Sequence, residues 1–203
     1  MAGQTDIRYF DRLKASETIV SCFFAALTSP LKMFRHLPAP QGYKNSLILM
    51  AWFMVIPSIM LSITTGIITA IVIIPVSLFF GLGTTWLWSV YLAWASRHFT
   101  GSKLSTEEIF QICAYSAAPL AVAWGEYMAT AVSLWNLILV WLGLVYYGKI
   151  GMGKAAFIML AGIAALALMI AIAVTVTYLW IPENVEMLLE TVETLHNVMT
   201  GSR

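Results

Sequence analysis

SLILMAWFMVIPSIMLSITTGIITAIVIIPVSLFFGLGTTWLWSVYLAWAS, residues 46–96, contains no Asp, Glu, Lys, Arg or His. One helix of that length would extend about 75 Å, against a hydrocarbon core of about 30 Å, so the run must cross a membrane and return. Thr64-Thr65-Gly66 is the best turn within it, predicting a first span over 46–64 and a second over 70–96. Pro75 is the alternative turning point. Pro57 and Pro75 each lack a backbone donor, which frees the carbonyl four residues earlier, on Phe53 and Ile71. Trp86, Trp88, Tyr91 and Trp94 crowd the end of the second span, as an aromatic belt does at the lipid–water boundary.

The rest of the chain fits that reading. Of its 203 residues 60 % are apolar and 10 % charged, and the mean hydropathy is +0.83. Soluble domains carry about a quarter charged residues. A net charge of +1 gives a nucleic-acid partner no support. Cys22 and Cys113 lie in unrelated contexts with no metal-type spacing, so neither a disulfide nor a metal site is expected. The N-terminus lacks the basic region, apolar core and small-residue cleavage site of a secretory signal, so the full chain is expected to be retained.

The third predicted span, 104–124, opens with Ser105-Thr106-Glu107-Glu108, a capping box with serine as N-cap and glutamate three residues on. It runs through Ile109, Phe110, Ile112 and Cys113 into a knot, Tyr115-Ser116-Ala117-Ala118-Pro119, and on to Trp124. A proline near its middle predicts one bent helix. A fourth span is expected near 129–147 and a fifth over 155–180, where Ala161, Gly162, Ala165 and Ala171 suit close helix contact.

Outside the spans, residues 1–44 read as an amphipathic, interfacial N-terminal segment. Ser29-Pro30 is an N-cap with proline at the first helical position. The short helix it starts suits either the headgroup layer or the protein's own bundle. Residues 45–181 form the transmembrane domain. Residues 182–203, opened by Pro182, form an acidic amphipathic tail with Val185, Leu188, Val192, Leu195 and Met199 as its stripe.

Orientation follows from charge. Of eleven Arg and Lys residues, six precede the first span, Arg97 and Lys103 follow the second, and Lys149 and Lys154 follow the fourth. Only Arg203 falls on the other side. Five spans therefore predict a cytoplasmic N-terminus and an external C-terminus.

Few residues suggest chemistry. Pro119 releases the Tyr115 carbonyl, which the Ser116 hydroxyl or a neighbouring helix would satisfy. The knot either lines a polar site or shapes the bundle, and the second is preferred. Glu126 is expected at the outer interface, because a carboxylate at the bilayer centre costs about 2.5–3.5 kcal/mol or more. Asn136 is expected to make an interhelical hydrogen bond. His36, His98 and His196 are scattered to both sides, against a shared metal site. No nucleophile–base pair or paired intramembrane carboxylates are present, so catalysis and cofactors are not expected.

The order Ser29-Pro30-…-Phe34-Arg35, then Gly101-…-Tyr115-Ser116-…-Pro119, then Trp135-…-Gly143-Leu144-…-Gly148 resembles the Yip (Ypt-interacting protein) domain family over roughly residues 29–180. The resemblance implies five transmembrane helices, a cytoplasmic N-terminus and no known catalytic residues. Eukaryotic members it resembles act at Golgi and endoplasmic-reticulum membranes with Rab-type GTPases, through a longer acidic, proline-rich N-terminal region. This chain opens without one, so GTPase binding is not expected and a bacterial inner-membrane member is.

The expectation is an all-α, five-span integral membrane protein with N-terminal interfacial helices and a C-terminal amphipathic helix. It would organise membrane, binding lipid or partner membrane proteins, as a homo-oligomer or alone. The alternative is a small oligomeric permease or channel, since helices broken at Pro57, Pro75 and Pro119 are how many transporters build sites. Against that stands the lack of an intramembrane charge.

Overall fold

The computed structural model describes the backbone of residues 9–11, 14–123 and 126–200, and side chains within it except at 15–16, 64–65, 67–70, 126–127 and 178–200. Among the described residues the protein is helical, without strands. It forms two compact units, residues 1–159 and 160–203.

Two short helices come first, α1 (Ala15–Thr28) and α2 (Pro30–Arg35). Pro30 occupies the first helical position of α2 as expected. Ser29 precedes it without a side-chain capping bond, its hydroxyl lying 3.3 Å from that of Thr28 instead. Met33, Phe34 and Leu37 are buried, so α2 rests on the protein's own helices.

The long apolar run divides where expected. α3 (Lys44–Thr65) ends at Gly66, and α4 (Ile67–Thr100) begins at the next residue. Gly66 adopts φ +99° and ψ 159°, a conformation open essentially to glycine alone, which makes the turn one residue long. Pro75 lies inside α4 and the turn there is not taken. Beside the two prolines, the Ser58 and Ser77 hydroxyls meet at 3.1 Å, joining α3 to α4. Whichever hydroxyl accepts across the pair keeps its proton for its own helix, Ser58 toward the Met54 carbonyl at 2.9 Å or Ser77 toward that of Ile74 at 3.0 Å. Such back-bonding keeps a hydroxyl satisfied where water is absent.

The stretch expected as one bent third span is built differently. α5 (Thr106–Ser116) has 11 residues, and after Ala117 the chain tightens into a 3₁₀ segment, Ala118–Val122. Pro119 carries no N–H and its ring crowds the Tyr115 carbonyl, so the α-helical ladder cannot continue through it. Here those effects end the α-helix instead of bending it. The segment is packed inside the protein, with every residue from Ile109 to Pro119 buried. Trp124 and Gly125 lie outside the described residues.

α6 (Glu126–Tyr146) and α7 (Met152–Thr200) complete the chain. Among the described residues four helices are long and apolar enough to cross a membrane: Lys44–Ile63, Ile71–Thr100, Met128–Tyr146 and Met152–Thr177. α7 continues through Pro182, where a turn into a separate tail helix was expected. The tail is thus helical in the same element, and its expected stripe from Val185 to Met199 lies outside the described side chains.

In the first unit, the ends of several elements converge. The Arg35 guanidinium sits 5.0 Å from the centre of the Tyr146 ring. The Tyr147 hydroxyl lies 3.3 Å from Glu108 Oε1, and Phe99 and Phe157 meet edge to face at 5.7 Å. Thus the C-terminal ends of α2, α4 and α6 share one end with the starts of α5 and α7. Gly143 and Gly148 make the approach possible. A Cβ on Gly143 would collide with Ile112 and lie 3.2 Å from Phe34, and one on Gly148 would lie 2.7 Å from Leu104. Of the four small residues expected in close helix contact, Gly162 is buried and Ala161 half-buried, while Ala165 and Ala171 are exposed with the rest of residues 163–177. Thr175 and Thr177 turn their hydroxyls back onto the Ala171 and Ala173 carbonyls at 2.8 Å, as a helix in hydrocarbon requires.

Candidate functional site

The densest polar arrangement lies around Tyr115. The capping box forms as expected: the Glu108 N–H donates to Ser105 Oγ at 3.2 Å and the Ser105 N–H to Glu108 Oε2 at 2.7 Å. From that fixed start, successive turns of α5 carry Gln111 and Tyr115 four residues apart, on one face. The N-terminal strand of chain closes over this face. The Phe10 N–H donates to the Tyr115 hydroxyl at 3.0 Å across 105 positions of sequence. Tyr9 donates to the Met33 carbonyl at 3.1 Å and packs edge-on against the Tyr115 ring at 6.3 Å. Asp11 exchanges backbone bonds with the Thr18 hydroxyl, at 3.3 and 3.2 Å.

Cys22 on α1 lies beside the Phe10 backbone and the Tyr115 hydroxyl. Burial pushes its thiol up to about 12, which those two contacts partly oppose. Burial likewise raises the Tyr9 phenol to about 12. These are inert, neutral groups that hold α1 and the N-terminal segment down.

Between this segment, the loop Pro38–Gly42 and the first turn of α3 is a cleft of about 330 Å³. Asp11, Gln41, Asn45, Ser46, Gln111 and Tyr115 supply its polar lining. Gln111 is 6 % exposed and its Oε1 has no hydrogen-bond partner among the described residues. No sequence argument above singled out Gln111. The signal was there, since it is the one carboxamide in α5 and stands four residues before Tyr115.

The other candidates are placed as follows. Ser116 is fully buried and its hydroxyl has no partner among the described residues, while the Tyr115 carbonyl lies in reach of the Ala117 N–H, which it shares with the Cys113 carbonyl. Pro119 is buried in the 3₁₀ segment next to it. Asn136 Oδ1 and Trp135 Nε1 on α6 are buried without partners among the described residues, so that oxygen makes no interhelical bond. Glu126 opens α6, and its side chain lies outside the described residues. Pro57 and Pro75 flank the Ser58–Ser77 bond, and Ser29-Pro30 sets the start of α2, well away from the knot in sequence. Among the described residues no three His, Cys, Asp or Glu side chains are grouped to hold a metal.

A helical membrane protein with four helices long and apolar enough to cross a bilayer, counted among the described residues, is the class these features define. The chain belongs to the Yip1 domain family, whose model matches residues 24–175. That family consists of membrane proteins that are generally not enzymes. No curated protein and no solved structure matches the chain.

Proposed function

We propose that this protein is a non-catalytic membrane organiser of the Yip type, with five crossings, a cytoplasmic N-terminus, and a basic cytoplasmic end that engages anionic lipid or partner membrane proteins. The observation that carries the reading is the convergence of basic segments. Lys32 and Arg35, Arg97 and Lys103, and Lys149 and Lys154 are all exposed, and the contacts Arg35–Tyr146, Glu108–Tyr147 and Phe99–Phe157 draw their elements to one end. Each cation near an anionic leaflet contributes about 1 kcal/mol of attraction.

The fifth crossing is α5 with its 3₁₀ segment. Eleven residues of α-helix and five of 3₁₀ helix extend about 26 Å together, close to the hydrocarbon thickness. Glu108 lies beside Tyr147, so this segment starts level with the end of α6 and leads to its beginning. That antiparallel relation supports a reading in which the loops around Lys103 and Lys149 share one side.

Reconstitution into liposomes tests the function. We expect the purified protein to co-sediment more strongly with vesicles containing phosphatidylglycerol than with neutral ones, and to pass no entrapped ion or small solute. Solute flux above protein-free vesicles would overturn the reading in favour of a permease.

A further inference from the structure

The last turns of α4 carry a face that changes chemistry along its length. Val90, Trp94, Arg97 and His98 recur at helical spacing, so they share one side of the helix. With Thr106 at the start of α5 they line a groove of about 370 Å³. Val90 and Trp94, 37 % and 57 % exposed, are its apolar part. Arg97 and His98, both exposed, are its polar part. The His98 ring lies parallel to the Trp94 indole at 5.5 Å, and Phe99 stands edge-on to both. That packing fixes the wall along which a ligand would lie. The groove sits where the apolar segment Ile71–Thr100 ends, at the level of the aromatic belt. The carboxylates beside Thr106 have partners of their own. Glu108 receives the Ser105 N–H and the Tyr147 hydroxyl. Burial and then the Glu107 charge raise the Tyr43 phenol, which places Glu107 near the start of α3.

These groups select an amphiphile with an anionic head. A guanidinium presents a planar fork of N–H donors that fits two phosphate oxygens. An imidazole, neutral or charged, adds at least one N–H, and the Thr106 hydroxyl adds an O–H. A soluble phosphate would leave the Val90–Trp94 wall unused, whereas a phospholipid fills both parts. The ammonium of a zwitterionic headgroup would bring a second cation beside Arg97, and an anionic headgroup brings none.

We propose that this groove is a discrete binding site for one anionic phospholipid, its phosphodiester held by Arg97, His98 and Thr106 and an acyl chain lying along Trp94 and Val90. The proposal rests on the reading that the basic end faces an anionic leaflet, and it narrows that general attraction to one seat.

The test uses the full-length protein in detergent, with lipid binding titrated by native mass spectrometry and folding followed by thermal unfolding. The probes are phosphatidylglycerol, phosphatidylcholine and glycerol 3-phosphate. The native protein is expected to hold one phosphatidylglycerol about ten-fold more tightly than phosphatidylcholine, the factor for one hydrogen bond to a charged group. Arg97→Gln should abolish that preference. Arg97→Lys, which keeps the charge and loses the fork, should reduce it. Both variants change an exposed side chain and keep the bond from the Gly101 N–H to the carbonyl at position 97, so the unfolding temperature should hold. Lys44→Gln, at an exposed cation that opens α3 outside the groove's lining, should leave the preference intact. Equal loss in Arg97→Gln and Lys44→Gln overturns the proposal in favour of diffuse attraction, as does an unchanged preference in Arg97→Gln. Glycerol 3-phosphate bound as tightly as the lipid overturns the lipid as occupant. Co-sedimentation with phosphatidylglycerol vesicles reads the broader function separately. If it persists while the detergent-solubilised protein prefers neither lipid, the site fails and the basic end stands; if it too is lost, the reading beneath the site fails with it.

Discussion

The Tyr147 hydroxyl donates to Glu108 Oε1 at 3.3 Å, while the other carboxylate oxygen of Glu108 caps its own helix at Ser105. One side chain thereby fixes the start of α5 and ties it to the end of α6. The consequence is directional, because α5 starts beside the end of α6 and the chain must then return to where α6 begins.

Cysteine labelling checks that arrangement. Cys22 and Cys113 are both buried, so an impermeant maleimide should report introduced cysteines alone. Lys103→Cys and Lys149→Cys are expected to label from the same side of sealed vesicles. Labelling from opposite sides would mean that α5 and the 3₁₀ segment do not cross.

The same pair sets an alkaline limit. Burial, then the Glu108 charge and hydrogen bond, raise the Tyr147 phenol from 10.0 to about 12. A phenol raised on folding contributes stability that is complete below its unfolded value and lost as pH climbs through the folded one. Unfolding temperature should therefore decline between pH 10 and 12 in the native protein. Tyr147→Phe should start slightly less stable and decline less over that window, as scanning fluorimetry can read.

Gly143 is where α2 and α5 meet α6. Gly143→Ala places a methyl group against Ile112 and Phe34. Overpacking of this kind costs about 1–3 kcal/mol. A lowered unfolding temperature is expected, with partial relief of the collision in the double variant Gly143→Ala, Ile112→Ala, which removes the colliding Cγ2; full stability in the single variant would show that the helices are not in close contact.

Pro119 ends α5, and replacing it should let the helix run on. Pro119→Ala restores an N–H that can reach the Tyr115 carbonyl, at the expense of the Leu120 to Ala117 bond, 2.9 Å long, that holds the 3₁₀ segment. Helicity by circular dichroism should rise slightly while thermal stability falls, since the buried segment no longer fits its pocket. Unchanged values of both would remove Pro119 from its role as helix terminator.

Covalent modification reports on the N-terminal cover. The Cys22 thiol, raised to about 12 by burial, should resist N-ethylmaleimide at neutral pH and react once detergent or heat lifts α1. Tyr9→Ala removes the bond to Met33 and should speed that reaction severalfold. Equal rates would separate the N-terminal segment from the protection of Cys22.

Much of the architecture was legible in the residues alone, because hydrocarbon leaves the backbone few options. An uncharged run of 46–96 must become two helices, and of its three glycines, Gly66, Gly81 and Gly83, it is Gly66 that takes the reversed conformation at their junction. The capping box at Ser105 likewise needs only four adjacent residues. What Pro119 does was not decidable locally: proline both bends and ends helices, and the outcome depends on whether the following residues find a packed place, as Ala118 and Ala121 do. Nor could sequence alone find the cleft. Its walls come from residues near 10, 40 and 111, and Gln111 passes for one polar residue in an apolar helix until folding buries its oxygen, which finds no donor among the described residues. Local rules of length, charge and backbone chemistry determine the helices, whereas the meeting of Phe10 with Tyr115, and of Glu108 with Tyr147, is decided only when those helices pack.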